Sequence, residues 1–250
     1  MGDNKSIHYE LIDGNSHYPY LIFLHEGLGC NAMWKDFPEQ LCHKTECPGL
    51  LYDRLGYGQS SPVDSARTVH YLHDCALNEL PKVIESLIPK KSYILVGHSD
   101  GGSISLIFGA EKPSLLRGII TEAAHVFVDS ETIEGIQAAD ESFSRGKLNG
   151  LRKYHGEKTN RVFKAWSETW LSDWFRHWNI EYLLPSIECP VLVIQGSDDH
   201  YGTEDQVNSI VTKVSGNAES YFVKKCGHSP HLEQPETVIE IMSEFIERNK

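Results

Sequence analysis

The chain has 250 residues, 40% of them apolar and 23% charged, enough to bury a sizeable core as one large α/β domain or two small ones. Its 23 Lys and Arg against 35 Asp and Glu leave a net charge of −12, a surface that repels phosphate backbones and anionic membranes and argues against nucleic-acid binding. No apolar run approaches membrane-spanning length, and the leader "MGDNKSIHYE" lacks an apolar signal region, so a cytoplasmic protein that does not enter a membrane is expected.

The M-G-x-x-x-S pattern of Gly2 and Ser6 reads as chance in a polar leader. After it, "IHYELID" and "YLIFLH" read as strands, followed by a helical stretch around "MWKDFPEQLCHK" and a third strand, "GLLYD". "RLGYGQSSP" is a loop by its Gly and Pro content. Residues 67–88 carry Val69, Leu72, Leu77, Leu80, Val83, Ile84 and Leu87 at roughly helical spacing, with Pro81 expected to kink or interrupt the helix. "YILVG" is the next strand and "GSISLIFGAEKP" the next helix; "LRGIITEA", "CPVLVIQG" and "AESYFVK" are further strands, and "ETVIEIMSEFIERN" a closing helix. Strands alternating with helices imply a mainly parallel sheet with helices on both faces.

Residues 126–185 break this rhythm. The segment is too long for a simple crossover, polar at first and then dense in aromatics, and the strands resume at Cys189. It reads as a helical cap inserted into a core formed by 1–125 and 186–250. The six cysteines lack the paired spacing of a zinc site and are expected as reduced thiols, and no metal is called for.

"GHSDG" at 97–101 fits G-x-S-x-G, with an apolar strand before it and a helical run after it. A sharp strand-to-helix turn crowds its neighbours, hence the glycines, and lifts the Ser99 hydroxyl above the sheet edge at the positive end of the helix. A serine needs a base and an acid to orient that base, in the chain order serine, acid, histidine on such a sheet. The strand-end loop "SDDHYGT" offers Asp198 and Asp199, and "KCGHSPHLEQP" offers His228, both at the carboxyl edge that carries Ser99. Glu122 is a more remote candidate acid. The oxyanion donors are read as the N–H of Asp100 and that of Gly27 in "LHEGLG", with Leu28 as the alternative. The carboxylates of Glu26 and Asp100 are expected to point away from a developing oxyanion.

Together "LHEGLG", "YDRLGYGQS", "GHSDGG", "PVLVIQGSDD" and "GHSPHLEQPE" resemble the α/β-hydrolase superfamily, in particular its capped single-domain branch of small-molecule esterases and carbon–carbon hydrolases. The resemblance covers nearly the whole chain except the cap. It implies the α/β-hydrolase fold and selects Asp199 over Asp198 as the acid. Two departures stand out. Glu26 occupies a position that is glycine in many relatives, which makes Gly27 the matching donor, and the nucleophile is serine rather than the aspartate of haloalkane dehalogenases and epoxide hydrolases.

Trp166, Trp170, Trp174 and Trp178 lie four residues apart, one stripe if the cap is helical there. Such a stripe either anchors the cap to the core or walls a pocket for an apolar or aromatic group. Leu28, His125, Trp166, Trp170 and Trp174 are the candidate substrate-binding residues. The reading is a serine hydrolase that cleaves a small carboxylic ester or thioester through an acyl-enzyme on Ser99, with no cofactor. A carbon–carbon hydrolase of the meta-cleavage type and a ligand receptor on the same fold are the alternatives.

Overall fold

The computed structural model describes residues 5–250; Gly2, and with it the acylation-like pattern, lies outside them. Seven strands form one sheet: β1 (Tyr9–Ile12), β2 (Tyr20–Leu24), β3 (Gly49–Tyr52), β4 (Tyr93–His98), β5 (Leu116–Glu122), β6 (Val191–Gly196) and β7 (Ala218–Val223). Their spatial order is β1-β3-β2-β4-β5-β6-β7. β1 pairs antiparallel with β3, and every other pairing is parallel. The central strands read as continuous apolar runs because both faces are covered.

Alternation along β2 shows how the two faces are filled. Leu21 and Phe23 pack with Phe37, Leu41, Met242 and Phe245, which come from α1 (Phe37–Thr45) and the C-terminal helix. Ile22 and Leu24 pack on the other side with Leu72, Leu80, Ile104 and Ile210. Those come from α2 (Tyr71–Asp74), α3 (Leu80–Leu87), α4 (Asp100–Ala110) and a helix after β6. That later helix, over "EDQVNSIVTK", is absent from the sequence reading. Only Val207 and Ile210 among its apolar residues are fully buried, too weak a stripe to stand out.

α2 and α3 are joined by a π-helical turn, Cys75–Glu79, in which the Leu80 N–H reaches back to the Cys75 carbonyl. Pro81 supplies the reason. It has no N–H to offer Leu77 and its ring crowds that carbonyl, so the chain widens just upstream instead of breaking.

Between β5 and β6 the chain runs through α5 (Ser130–Ser144), α6 (Arg152–His155), α7 (Thr159–Trp170) and a 3₁₀ turn, Glu181–Ser186. Its two ends meet where Phe127 bridges Asn179 and the Ile180 N–H donates to Val126 at 2.8 Å. The tryptophan stripe expected over 166–178 needs correction. α7 ends at Trp170, and Leu171–Trp178 is turn, so helical spacing no longer applies. Trp174 is 50% exposed, whereas Trp178 is buried and stacks on Phe175. After β6 come α8 (Glu204–Lys213), β7, α9 (Pro230–Glu233) and α10 (Pro235–Asn249). Among the described residues no helix is long and apolar enough to cross a membrane.

Candidate active site

β4 ends at His98 and α4 begins at Asp100, leaving Ser99 alone to make the turn with φ 52° and ψ −114°. That is a strained region for a side-chain-bearing residue. The flanking glycines answer to crowding. A Cβ on Gly97 would sit 2.3 Å from the Gly101 carbonyl oxygen, and one on Gly101 would sit 1.9 Å from the Leu24 oxygen. The Ser99 N–H donates to the Glu122 carbonyl at 2.8 Å, while the Ser99 carbonyl accepts from Gly102 and Ser103. These three bonds lock the elbow to β5 and to the first turn of α4.

Two distant loops converge on Ser99. His228 Nε2 lies 3.1 Å from the Ser99 Oγ, and His228 Nδ1 lies 3.0 and 2.9 Å from the two Asp199 oxygens. A carboxylate offers only acceptors, so the proton sits on Nδ1 and Nε2 is free to accept from the serine. The Asp199 side chain is 1% exposed, and it also accepts from the Tyr201 N–H at 2.8 Å and the Gln195 amide at 2.6 Å. Burial pushes the Asp199 carboxyl up, but the hydrogen bond and charge of His228, with the Tyr201 N–H, outweigh it and hold it below its ordinary value. Asp198 is exposed and bonded to Ser197 instead. Glu122 is committed to His231 Nδ1 at 2.7 Å and does not reach His228.

The Gly27 N–H makes no hydrogen bond among the described residues, and the Asp100 N–H is the first, intrahelically unpaired donor of α4. The Leu28 N–H is taken by the Glu26 carboxylate, which removes it from the candidate donors. Gly27 has no room for a side chain, since a Cβ there would lie 2.6 Å from the Trp166 ring. Of the two nearby carboxylates, Asp100 turns behind the elbow. There it accepts from the Tyr71 hydroxyl at 3.1 Å and faces Arg54 at 3.6 Å. Glu26 and Asp100 both border the cavity in front of Ser99, and the Glu26 carboxylate folds back onto the Leu28 N–H.

That cavity has a volume of about 250 Å³ and is lined by Ser99 and His228 together with the expected Gly27, Leu28, His125, Trp166 and Trp170. Trp174 is not among its walls. His125 Nε2 donates to the Tyr201 carbonyl at 2.7 Å, and burial holds the ring's pKa below its ordinary value. Trp170 Nε1 donates at 2.9 Å to the Tyr71 hydroxyl that in turn binds Asp100. His155 accepts from the Gly58 N–H at Nδ1, so its Nε2 carries the proton given to the Leu28 carbonyl at 2.8 Å. Residues 126–185 are thereby tethered to both sides of Ser99.

The sequence reading missed Tyr201, Thr132, Ile136, Ala139, Leu148 and Leu151 as cavity walls. The signal was present for α5: Thr132, Ile136 and Ala139 stand at i, i+4 and i+7. A polar surrounding sequence hid it. Cys30 and Cys226 are buried free thiols, each pushed by burial to about 12, and have no thiolate character to offer. A larger cleft, about 620 Å³, lies behind Asp100 along Arg54, Tyr57, Arg67 and Glu79, and none of Ser99, Asp199 and His228 lines it.

Comparison with known proteins identifies the family of the fold. "Serine hydrolase BPHL" of Homo sapiens is 26% identical over 209 residues, which is 79% of this chain and 69% of that protein. "2-succinyl-6-hydroxy-2,4-cyclohexadiene-1-carboxylate synthase" of Enterobacter sp. (strain 638) is 25% identical over 61% of this chain and 54% of its own length. The solved thermophilic esterase from Thermogutta terrifontis superposes with a TM-score of 0.74 at 20% identity, covering 98% of this chain and 94% of that one. Residues 21–241 match the alpha/beta hydrolase family, and the chain belongs to it.

Proposed function

We propose that the protein is a serine hydrolase that cleaves small carboxylic esters or thioesters through an acyl-enzyme on Ser99. The observation that carries the reading is the continuous chain Ser99 Oγ, His228, Asp199, with Ser99 and His228 opening onto an apolar cavity. Ser99 attacks the carbonyl while His228 Nε2 takes its proton, and Asp199 stabilises the imidazolium. The Gly27 and Asp100 amides receive the oxyanion. His228 then returns the proton to the leaving alcohol, and a water activated by the same imidazole releases the acid.

The segment 126–185 acts as a cap whose Trp166 and Trp170 rings close the cavity over an apolar or aromatic group. A volume of about 250 Å³ favours a small substrate. The synthase relative makes, by its name, a carboxylate-bearing product. Among the described residues no Lys or Arg lines the cavity to hold such a carboxylate, which favours ester cleavage over carbon–carbon chemistry on an acidic substrate. The test is a panel of p-nitrophenyl esters of increasing acyl length, run beside Ser99→Ala. Wild type gives a nitrophenol burst, and the variant loses it, with turnover lower by about 10⁶-fold. Equal rates in the two proteins would sink the assignment.

A further inference from the structure

Tyr71, on α2, stands between Trp170 of α7 and Asp100 of α4. Its hydroxyl donates to Asp100 Oδ2 at 3.1 Å, since a carboxylate only accepts, and receives the Trp170 indole N–H at 2.9 Å. Burial and the Asp100 charge, against that of Arg67, push the phenol well above its ordinary value, so the hydroxyl keeps the proton this direction requires. Arg54 reaches the same Asp100 oxygen, with Nη1 at 3.6 Å. Through Nη2 it donates to the Glu26 carbonyl at 2.8 Å, where His25 Nδ1 is a second donor at 2.8 Å. That carbonyl and the Gly27 N–H are opposite ends of one planar trans peptide, so holding the oxygen aims the N–H.

Trp170, Tyr71, Asp100 and Arg54 thus connect a wall of the cavity to the two backbone N–H groups assigned to the oxyanion. Hydrogen bonds to a buried, ionised carboxylate are of the strong kind, and members of such a chain polarise one another. The Asp100 charge stands beside its own N–H, where left alone it would oppose an oxyanion; Tyr71 and Arg54 offset it. Tyr71 itself lines the cleft behind Asp100 and not the cavity. We propose that Tyr71 is a positioning residue through which residues 126–185 set the oxyanion site. The acyl group packs on the Trp170 ring, the indole N–H holds the Tyr71 hydroxyl, and that hydroxyl holds Asp100. Contacts with the acyl group then appear in kcat and not in KM alone. The proposal rests on the ester-hydrolase reading above.

The test reads kcat and KM separately for p-nitrophenyl acetate and p-nitrophenyl butanoate. Tyr71→Phe removes only the hydroxyl; it keeps the ring that packs 5.7 Å from Phe175 and 4.4 Å from the Arg67 guanidinium. Its kcat on the butanoate ester is expected to fall by about tenfold or more, with KM within about twofold of wild type. Trp170→Phe breaks the same chain from the other end. The double variant therefore loses no more than about twofold in kcat beyond Tyr71→Phe. Wild type by itself supplies a check that needs no folded variant: its kcat is at least about threefold higher on butanoate than on acetate. In Tyr71→Phe that ratio falls to about one. An unchanged kcat in Tyr71→Phe, a loss confined to KM, losses that multiply in the double variant, or a wild-type kcat blind to acyl length would overturn the relay alone. Absence of Ser99-dependent turnover in wild type would overturn the hydrolase reading and the relay with it.

Discussion

His228 has two ring nitrogens, and the proposed chemistry depends on which one holds the proton. Asp199 decides it: both carboxylate oxygens face Nδ1, and the Tyr201 N–H and Gln195 amide hold them in place. Asp199→Asn keeps the shape but offers Nδ1 an amide N–H, which favours the tautomer protonated at Nε2. That nitrogen then cannot accept from Ser99. Ester turnover by Asp199→Asn is expected to fall by about 10⁴-fold, with the melting temperature little changed. A loss below tenfold would mean that another group orients the imidazole.

The turn that joins α2 to α3 carries its own titratable group. Glu79 closes the π turn and accepts the Leu55 N–H at 3.2 Å, while its other oxygen is buried without a partner. Burial pushes the carboxyl up to about 7, against the pull of Arg54 and the Leu55 N–H. A carboxyl raised in the fold is held as the acid, so its contribution is full below the ordinary value of about 4.3 and is lost as pH rises through about 7. Glu79→Gln therefore gains stability over wild type between about pH 5 and about pH 8, read as a widening gap in melting temperature. A constant gap would mean that the carboxyl is not buried as described. Elements of this kind set the limit of what sequence can tell. Pro81 announced an interruption but not that it would take the form of a π turn. The central strands β2, β4 and β6 were legible because each is a buried, nearly unbroken apolar run, and Ser99 and Asp199 because each follows such a run. β7, with Glu219 and Ser220, is not of that kind, and His228 was legible from its glycine-flanked loop before the last helices. The end of α7 was not, since the four-residue tryptophan spacing continues into a turn. Nor was the direction of Glu26, which follows from a single hydrogen bond to Leu28.

At the scale of the whole molecule, buried histidines tie together the loops at the carboxyl edge of the sheet. His25 sits against Arg54, His98 donates to the His228 carbonyl, His125 reaches the Tyr201 loop, and His155 fastens 126–185 to Leu28. Burial holds the pKa of all four below the ordinary value, deepest at His25 and His98. A histidine kept neutral in the fold takes up a proton more readily once the chain unfolds. Its stabilisation is present above about 6.5 and drains away as pH falls below it. Glu26 and Glu79, raised by burial, act in the opposite sense and lose stability as pH rises. Four tethers against two carboxyls give a net fall in melting temperature between about pH 7 and about pH 5, to be measured by thermal unfolding across that range. Asp199 and Asp129, held below their ordinary values, add to the loss only in more acid solution. A melting temperature that stays flat or rises toward pH 5 would mean that the histidine tethers accept protons without loosening. Protonation at His155 Nδ1 would place a second donor opposite the Gly58 N–H, so the attachment of 126–185 to the Leu28 loop is where acid acts on the cavity as well as on the fold.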